Sequence, residues 1–481
     1  MLAKQVNFGG AALAINPMVI SDVQLEQLSR TELIALVKVL LTQIASLETR
    51  VTELEAKLPP GAPPVTSRNS SQPPSRDQKS NLAVPKVSKR IGAKPGHPAA
   101  QRPLVEKPDR VIEVKVTHCT YCQTDLRDCL PARIVRHQIT ELPVIQPLVI
   151  ETQIHEVECP HCHTVQRGTP PVGLEPTRCF GPRLEAFVVY HKQTQHLSYE
   201  RQAAQLHDVF GVTVSEGGLN AIVRRGGALA QPKADAIGAE VARSPIIGSD
   251  ETSARVTGRT WWQWVFRSAA GVFHRIAPTR GAVVITEFMG DQCADVWVSD
   301  CYSAQLLAPA KKFQLCLAHQ IRNLERVIQP APALWWPVRM QALFQEAIHL
   351  RNRFFTTDKL TLKGYLRRVA ELENRLDALL TEDQTGTAAQ QLYQRYVKHR
   401  DHLLVFLQEP EVPPTNNACE SALRPSVIHR KVTNGFRSER GAQGYAALAT
   451  LLETAKLHGQ NIFDTLVELM GQPVLHYLNT S

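Results

Sequence analysis

Residues 244–252 read "SPIIGSDET" and residues 294–303 read "ADVWVSDCYS", two short apolar runs that each end on an aspartate, Asp250 and Asp300. Runs of this length, rich in Val, Ile and Trp and bounded by Gly or Ser, are strand signals. Three more lie nearby: 261–266 ("WWQWVF"), 272–277 ("VFHRIA") and 313–318 ("FQLCLA"). A helix at about 281–289 and a short one after Asp300 fill the gaps. The order is therefore three strands, helix, strand, helix, strand. Trp261, Trp262 and Trp264 read as core rather than as a stacking platform.

That order belongs to a ribonuclease H-like fold, whose first and fourth strands are neighbours in one mixed sheet, so Asp250 and Asp300 can share one edge of a site. A third acid, Glu420, lies in "TNNACESALRP" (415–425), a helix opening after a Pro-Pro break. Two acids at strand ends and one on a helix can converge on a pair of divalent cations, the arrangement that holds the attacking and leaving oxygens of a phosphodiester displacement. Hard oxygen ligands suit Mg²⁺, or Mn²⁺. A chain with 45 acidic residues can offer such a trio by accident, so the surroundings carry the reading. Asn416 and Arg424 lie one turn either side of Glu420 and share its helix face, with Asn417 beside them. Arg424 can hold Glu420 or meet DNA phosphate. Beyond it, Arg430, Lys431, Arg437 and Arg440 form either a track for a nucleic-acid backbone or a solvated face.

Cys316-x-x-His319 with Arg322 closes the last strand. Cys and His can pair on a metal. Alternatively, Cys316 is core and His319 is a buried, satisfied histidine or one that supports the acids and positions DNA. Arg322 is a DNA-contact candidate. Residues 335–407 carry apolar residues at helical spacing (Leu362, Leu366, Val369, Leu372, Leu376, Leu379) and read as an all-α insertion before Glu420.

Upstream, Leu33, Leu40, Leu47 and Leu54 alternate with Val37, Ile44, Val51 and Leu58 at strict four-three spacing. A period of 3.5 with β-branched residues at one core position and Leu at the other favours a parallel two-stranded coil, hence a homodimer or higher oligomer. Residues 59–105 hold eight Lys/Arg against one Asp and ten of the 32 prolines. They read as a flexible basic linker, which accounts for most of the net charge of +9 and points to a polyanionic partner. Cys119-x-x-Cys122 and Cys159-x-x-Cys162 can close one structural, tetrahedral Zn²⁺ site, with strands of a ribbon in the 36 residues between them. His118, His161 and His163 are possible substitute ligands, and a redox dithiol pair is the weaker alternative. Residues 198–225 read as a helix-turn-helix, with Ser215 capping the second helix and Arg224 and Arg225 at its end. No run approaches the ~20 apolar residues of a membrane helix. The start of the chain is broken by Asn and Pro, which argues against a signal peptide. Paired C-x-x-C cysteines fit a reducing cytoplasm.

The expected organisation is a multidomain α/β chain: coiled coil 22–58, linker 59–105, zinc ribbon 106–175, helix-turn-helix region 176–240, catalytic core 241–325, helical insertion 326–410, second part of the core 411–460 and tail 461–481. Nearly the whole chain resembles the large DDE-class transposase of the insertion sequence 66 family. The resemblance rests on the zipper, "SRNSSQPPSRD", "GAKPGHP", the two C-x-x-C pairs, "SDET", "SDCYS", "CLAHQIRNL", "NNACESALRP" and "HRK". It implies Asp250, Asp300 and Glu420 as the acids and maps a Cys-x-Ala-His segment onto Cys316, Ala318 and His319. Two departures are Ser421, where the family often has Arg, and Gln305, where it has the second Tyr of D-x-Y-x-x-Y. The resemblance further implies a bacterial, nucleoid-associated enzyme that recognises terminal inverted repeats, exposes 3′-hydroxyls and joins them to target double-stranded DNA, together with accessory proteins of the same element. A junction nuclease of the same fold and a catalytically silent DNA-binding regulator are the alternatives.

Overall fold

The protein is described by a computed structural model covering residues 102–170, 178–356 and 360–471, with residue 176 and part of 29–46. The described residues between 30 and 46 are helical, with Leu33, Val37, Leu40 and Ile44 exposed on the single chain. Leu47, Val51, Leu54, Leu58 and all but the last four linker residues lie outside the described residues. No helix among the described residues is long and apolar enough to cross a membrane.

In the cysteine region the only strands among the described residues are β1 (Glu156–Glu158) and β2 (Val165–Arg167), a hairpin around the second C-x-x-C. The apolar runs at 132–154 form no strand and are largely exposed, so the expected ribbon is much shorter than its sequence pattern suggests. Three helices follow: α1 (Pro182–Gln193), α2 (Tyr199–Phe210) and α3 (Glu216–Ala242). Ser215 accepts a hydrogen bond from the Gly218 N–H at 3.1 Å, the expected cap. The second helix does not stop near Arg225, however. It runs on to Ala242, burying Ala230, Ala234 and Val241. It is a long scaffold helix, wider in role than a recognition helix.

The sheet comprises β3 (Ile246–Val256), β4 (Arg259–Arg267), β5 (Val272–Ala277), β6 (Ala294–Ser299) and β7 (Ala310–Leu315), with α4 (Val283–Met289) between β5 and β6. Its order is β5-β4-β3-β6-β7, so the first and fourth strands are neighbours as expected. β3, β4 and β5 are antiparallel, whereas β3, β6 and β7 are parallel. A two-residue turn, Thr257–Gly258, joins β3 to β4 with both residues at positive φ (48° and 80°). That backbone twist matches the strands and fixes their register. It also corrects one expectation: β3 does not end before Asp250 but continues through it, because residues 250–256 pair with β4. β7 in turn stops at Leu315, and Leu317 already begins α5 (Leu317–Ile328), so Cys316 sits at the helix N-cap.

Alternation along β4 sends Trp264 and Phe266 to one face and Val265 to the other. The first face packs Ile247, Trp264, Phe266 and Trp297 against Val284, Ile285 and Met289 of α4 and Val241 of α3. Trp261 and Trp262 are only partly buried, and Trp264 is the true core member of the trio.

Between residues 335 and 408 the described elements are helices, α6 (Trp335–Thr356), α7 (Leu362–Leu380), α8 (Gln390–Lys398) and α9 (Val405–Gln408). They enclose Trp336, Phe344, Tyr396 and Phe406, and meet the sheet at Val296, Val298 and Leu315. The chain then returns as α10 (Asn417–Thr433), α11 (Glu439–Leu457) and α12 (Ile462–Met470). α10 and α11 cover the second sheet face, Cys419, Ala422 and Leu423 against Val265 and Val272, and Ala442, Tyr445 and Ala446 against Val256 and Ile276. The expected tail is instead a docked helix: Leu466, Val467 and Met470 are buried, and Asn461 caps the N–H groups of Phe463 and Asp464.

Candidate active site

The parallel pairing of β3 and β6 matches Gly248 with Val298. Two residues farther along, where β6 has ended, Asp250 and Asp300 stand level on neighbouring strands. Asp250 Oδ1 accepts the Glu251 N–H at 2.9 Å, and Asp300 Oδ1 accepts the Tyr302 N–H at 2.9 Å, so each carboxylate is tied to its own backbone.

Glu420 stands in the first turn of α10, near enough for its charge to raise the Asp250 carboxyl, although the three acids do not all lie within 4.8 Å of one another. Asn416 fixes that helix: its side-chain amide donates to Ser249 O at 2.7 Å and its main-chain N–H donates to Cys316 Sγ at 3.1 Å. Leu317 N–H donates to Pro414 O at 2.9 Å. Gly248 permits the approach, since a Cβ there would lie 3.0 Å from Cys419 Sγ and 3.3 Å from Asn416 Oδ1. Asn416 is thus a buried clasp between β3, the start of α5 and α10. Asn417, beside it, is exposed.

Arg322 Nη2 donates to Glu420 Oε1 at 3.1 Å, and His319 Nε2 lies 3.6 Å from the same oxygen. Arg322, a DNA-contact candidate, holds the third acid. Arg424, one turn after Glu420, is exposed and lines a separate groove of about 560 Å³ with Gln195, His196, Tyr445 and Lys456. Of the two roles weighed for Arg424, the hold on Glu420 is supplied by Arg322, which leaves contact with DNA phosphate.

The neighbouring acids act on Asp250. Burial pushes the Asp250 carboxyl well above the usual carboxylate range, and the negative charges of Glu251, Asp300 and Glu420 add to it; the Glu251 N–H opposes them. Burial lowers the His319 pKa, with Arg322 acting in the same direction and Glu420 and Asp300 against it. Burial raises the Cys316 thiol.

Sequence reasoning missed Glu251. Its Oε1 accepts from Arg280 Nε (2.9 Å) and Nη2 (2.7 Å), and its Oε2 accepts from Gln305 Nε2 (2.6 Å). Gln305 Oε1 in turn accepts from Trp297 Nε1 at 3.0 Å. The Arg280 guanidinium lies 4.7 Å from the ring centre of Trp262 and 3.8 Å from that of Tyr302. Gln305, the departure from D-x-Y-x-x-Y, is thus a connector beneath the acids. The available signal was an acid next to Asp250 on an apolar strand, which must find a partner when buried.

Other expected sites separate. Arg225 pairs with the fully buried Glu185, which also binds Arg178, so Arg225 is structural while Arg224 is exposed. Arg430 donates to Ser253 Oγ at 3.0 Å, and Lys431, Arg437 and Arg440 are exposed. The two cysteine turns share one backbone: Gln123 N–H returns to Cys119 O (3.0 Å) and His163 N–H to Cys159 O (2.9 Å), with both residues at positive φ. Cys122 is lowered to about 7, chiefly by its Thr124 partner, and Cys162 is lowered by Thr164. Cys119, Cys122, Cys159 and Cys162 are not gathered into one cluster. Among the described residues, Cys316, His319 and Glu420 are the group of three potential ligands lying within 4.8 Å of one another.

Residues 178–444 match the model of the family described as "Transposase IS66 family", and residues 21–103 match a "Family of unknown function (DUF6444)". The chain is similar to the uncharacterized protein y4hP of Sinorhizobium fredii (strain NBRC 101917 / NGR234), 22 % identical over 76 % of this chain and 73 % of that one. It also resembles y4jO of the same strain, 31 % identical over 17 % of this chain and 25 % of that one. The family match spans both aspartates, the helical block and the helix of Glu420, more than half of the residues present: the chain belongs to the IS66 family of transposases.

Proposed function

We propose that the protein is a DDE transposase with a ribonuclease H-like core, which cleaves the 3′-ends of an insertion sequence and joins them to target DNA. The observation that carries this reading is that the charges of Asp300 and Glu420 both bear on Asp250. Asp250 lies on β3 and Asp300 directly follows the neighbouring parallel strand β6, and Asn416, at the start of the helix that carries Glu420, is tied to β3 at Ser249. The donor set of the three acids is all oxygen, and the charge crowding on Asp250 favours cations among them, which fits two Mg²⁺ or Mn²⁺ ions. Bound there, such a pair supplies activation of the attacking hydroxyl and stabilisation of both reacting oxygens.

The chain's own residues set the geometry. Arg322 orients Glu420, the backbone N–H groups of Glu251 and Tyr302 orient Asp250 and Asp300, and Arg280 with Gln305 neutralises Glu251 behind them. Because Asp250 holds its proton to higher pH than an ordinary carboxyl, cation uptake releases a proton. In the first step water attacks the phosphodiester at the element end, leaving a 3′-hydroxyl on the element and a 5′-phosphate on the flank. In the second, that hydroxyl attacks a target phosphodiester and expels a target 3′-hydroxyl, exchanging one P–O bond for another.

Around the core, a zipper pairing two copies and DNA contacts by Arg224, Lys431 and Arg437 complete the reading, together with one structural Zn²⁺ that would have to draw together the two cysteine turns, which stand apart in this structure. The test is incubation with Mg²⁺ and DNA carrying candidate element ends, with nicks and joints mapped. Asp250→Ala, Asp300→Ala and Glu420→Ala should abolish joining while end binding survives. A variant that still joins 3′-ends removes the assignment; cutting at branched DNA without joining would make it a nuclease, and binding without cutting a silent regulator.

A further inference from the structure

We propose that Cys316, His319 and Glu420 form a second, softer metal site that takes a zinc-class divalent ion and shares Glu420 with the acid pair. The ligand atoms already lie within 4.8 Å of one another. Cys316 caps α5 and His319 stands on its first turn, so the Cys-x-x-His spacing turns both toward α10. His319 Nε2 and Glu420 Oε1 are 3.6 Å apart, too far for a good hydrogen bond. Two N and O ligands of one tetrahedral zinc, bound at about 2.0–2.2 Å, stand about 3.3–3.6 Å apart, so the observed separation suits a shared ion. The sulfur already accepts the Asn416 main-chain N–H at 3.1 Å, the outer support that a metal-bound thiolate needs. His319 Nδ1 is buried and has no hydrogen-bond partner among the described residues, so this is not a satisfied core histidine.

The donor chemistry separates this site from its neighbour. Sulfur and imidazole select zinc-like ions, whereas the all-oxygen set of Asp250 and Asp300 suits Mg²⁺. A thiolate, a neutral imidazole and a carboxylate balance a dication, and three protein ligands leave one position open. Arg322, the cation facing the site, holds the same Glu420 oxygen and must yield it when a metal enters. Occupancy by a soft ion would therefore withdraw Glu420 from the acid pair; that consequence, unlike the site itself, rests on the proposed function.

The experiment is a Co²⁺ titration of the full-length protein carrying Cys122→Ser and Cys162→Ser, which remove a thiol from each C-x-x-C turn, read by the near-ultraviolet thiolate-to-cobalt band. A band that is lost in Cys316→Ser, with affinity about tenfold or more weaker in His319→Ala, supports the site. An identical band in Cys316→Ser, or none in the parent protein, overturns it. Should Cys316→Ser fail to fold, Glu420→Gln and His319→Ala decide alone: undiminished Co²⁺ affinity in both refutes the proposal. Zn²⁺ added over Mg²⁺ should suppress strand joining in the parent protein. If no joining occurs under any condition, the proposed function fails, while the cobalt spectrum still decides this site.

Discussion

The long helix α3 and the helix α11 cross at two glycines, and the contact is lopsided enough to predict opposite outcomes for the same substitution on its two sides. A Cβ built on Gly227 would lie 2.8 Å from Gly444 Cα, 3.2 Å from its oxygen and 3.3 Å from its carbonyl carbon, all backbone atoms that no rotamer change can move. Carbon atoms in contact sit about 3.5–4.0 Å apart, so Gly227→Ala must part the helices by roughly an ångström. The parting would loosen Ala230, Ala234, Ala447, Leu448 and Leu451, which are packed in the same cluster. Overpacking of this kind costs about 1–3 kcal/mol, while replacing a helix-interior glycine by alanine returns about 1 kcal/mol. The reverse change differs: a Cβ on Gly444 meets only Gly227 Cα, at 3.5 Å, an ordinary contact. Gly444→Ala should then be neutral or gain up to about 1 kcal/mol. At about 2–4 °C per kcal/mol, the two variants should differ in Tm by several degrees, Gly227→Ala below the parent and Gly444→Ala at or above it. Calorimetry at matched concentration and pH measures this. A Gly227→Ala protein that melts with the parent, or a Gly444→Ala protein that falls as far, would refute the steric argument.

Raising the folded-state pKa of Asp250 gives stability that is full below the unfolded value of about 3.9 and lost as pH climbs through the higher folded value. Metal-free Asp250→Asn should accordingly melt a few degrees above the parent at pH 8, with the gap closing toward pH 4; coincident melts at pH 8 would contradict the crowding. Arg224→Ala should weaken DNA binding and reduce the salt slope by about one, whereas Arg225→Ala should lower Tm by unbalancing Glu185; equal loss of DNA affinity in the two folded variants would restore Arg225 to the DNA surface. Elemental analysis after dialysis should find about one tightly held zinc per chain, lost in Cys122→Ser, and a well-folded metal-free preparation would sink the zinc reading. Replacing Leu40 and Leu47 by Lys should yield monomers in light scattering, and persistent dimers would place the main interface elsewhere.

The strand order was legible because each strand carries its own apolar run, and adjacency of the first and fourth strands brought Asp250 and Asp300 together without any long-range information. The extent of β3 was not legible. Residues 250–253 are polar, and they are held extended by their pairing with "WWQWVF" through the Thr257–Gly258 turn rather than by their own propensity. The same holds for Arg225: its partner Glu185 lies forty residues upstream on α1, so nothing local distinguishes it from the exposed Arg224. α12 was misread as a tail although "NIFDTLVELM" carries both a cap and an apolar stripe. The Asn416 clasp was half visible, since a shared helix face with Glu420 is a local property. Its grip on Ser249 and Cys316, 167 and 100 residues away, is not.

The four carboxylates at the site divide by how their charge is met, and that division argues for the role proposed for each. Glu251 faces Arg280, and Glu420 faces Arg322. Asp250 and Asp300 accept main-chain N–H groups, and among the described residues neither forms an ion pair with Lys or Arg. For Asp250, whose carboxyl burial pushes well above the usual range, that state is costly unless a cation visits it. Glu251, neutralised on one oxygen by a stacked guanidinium and capped on the other by Gln305, is spent on structure. Glu420 is intermediate, held by a single Arg322 contact that a metal can displace. The cation pair of the proposed chemistry therefore has two open partners in the aspartates and one conditional partner in Glu420. Arg322→Ala should expose that condition: because the arginine orients the acid, Mg²⁺ affinity measured by calorimetry should fall, and a rise would show that it only competes for Glu420. Unchanged affinity would remove Arg322 from the site altogether.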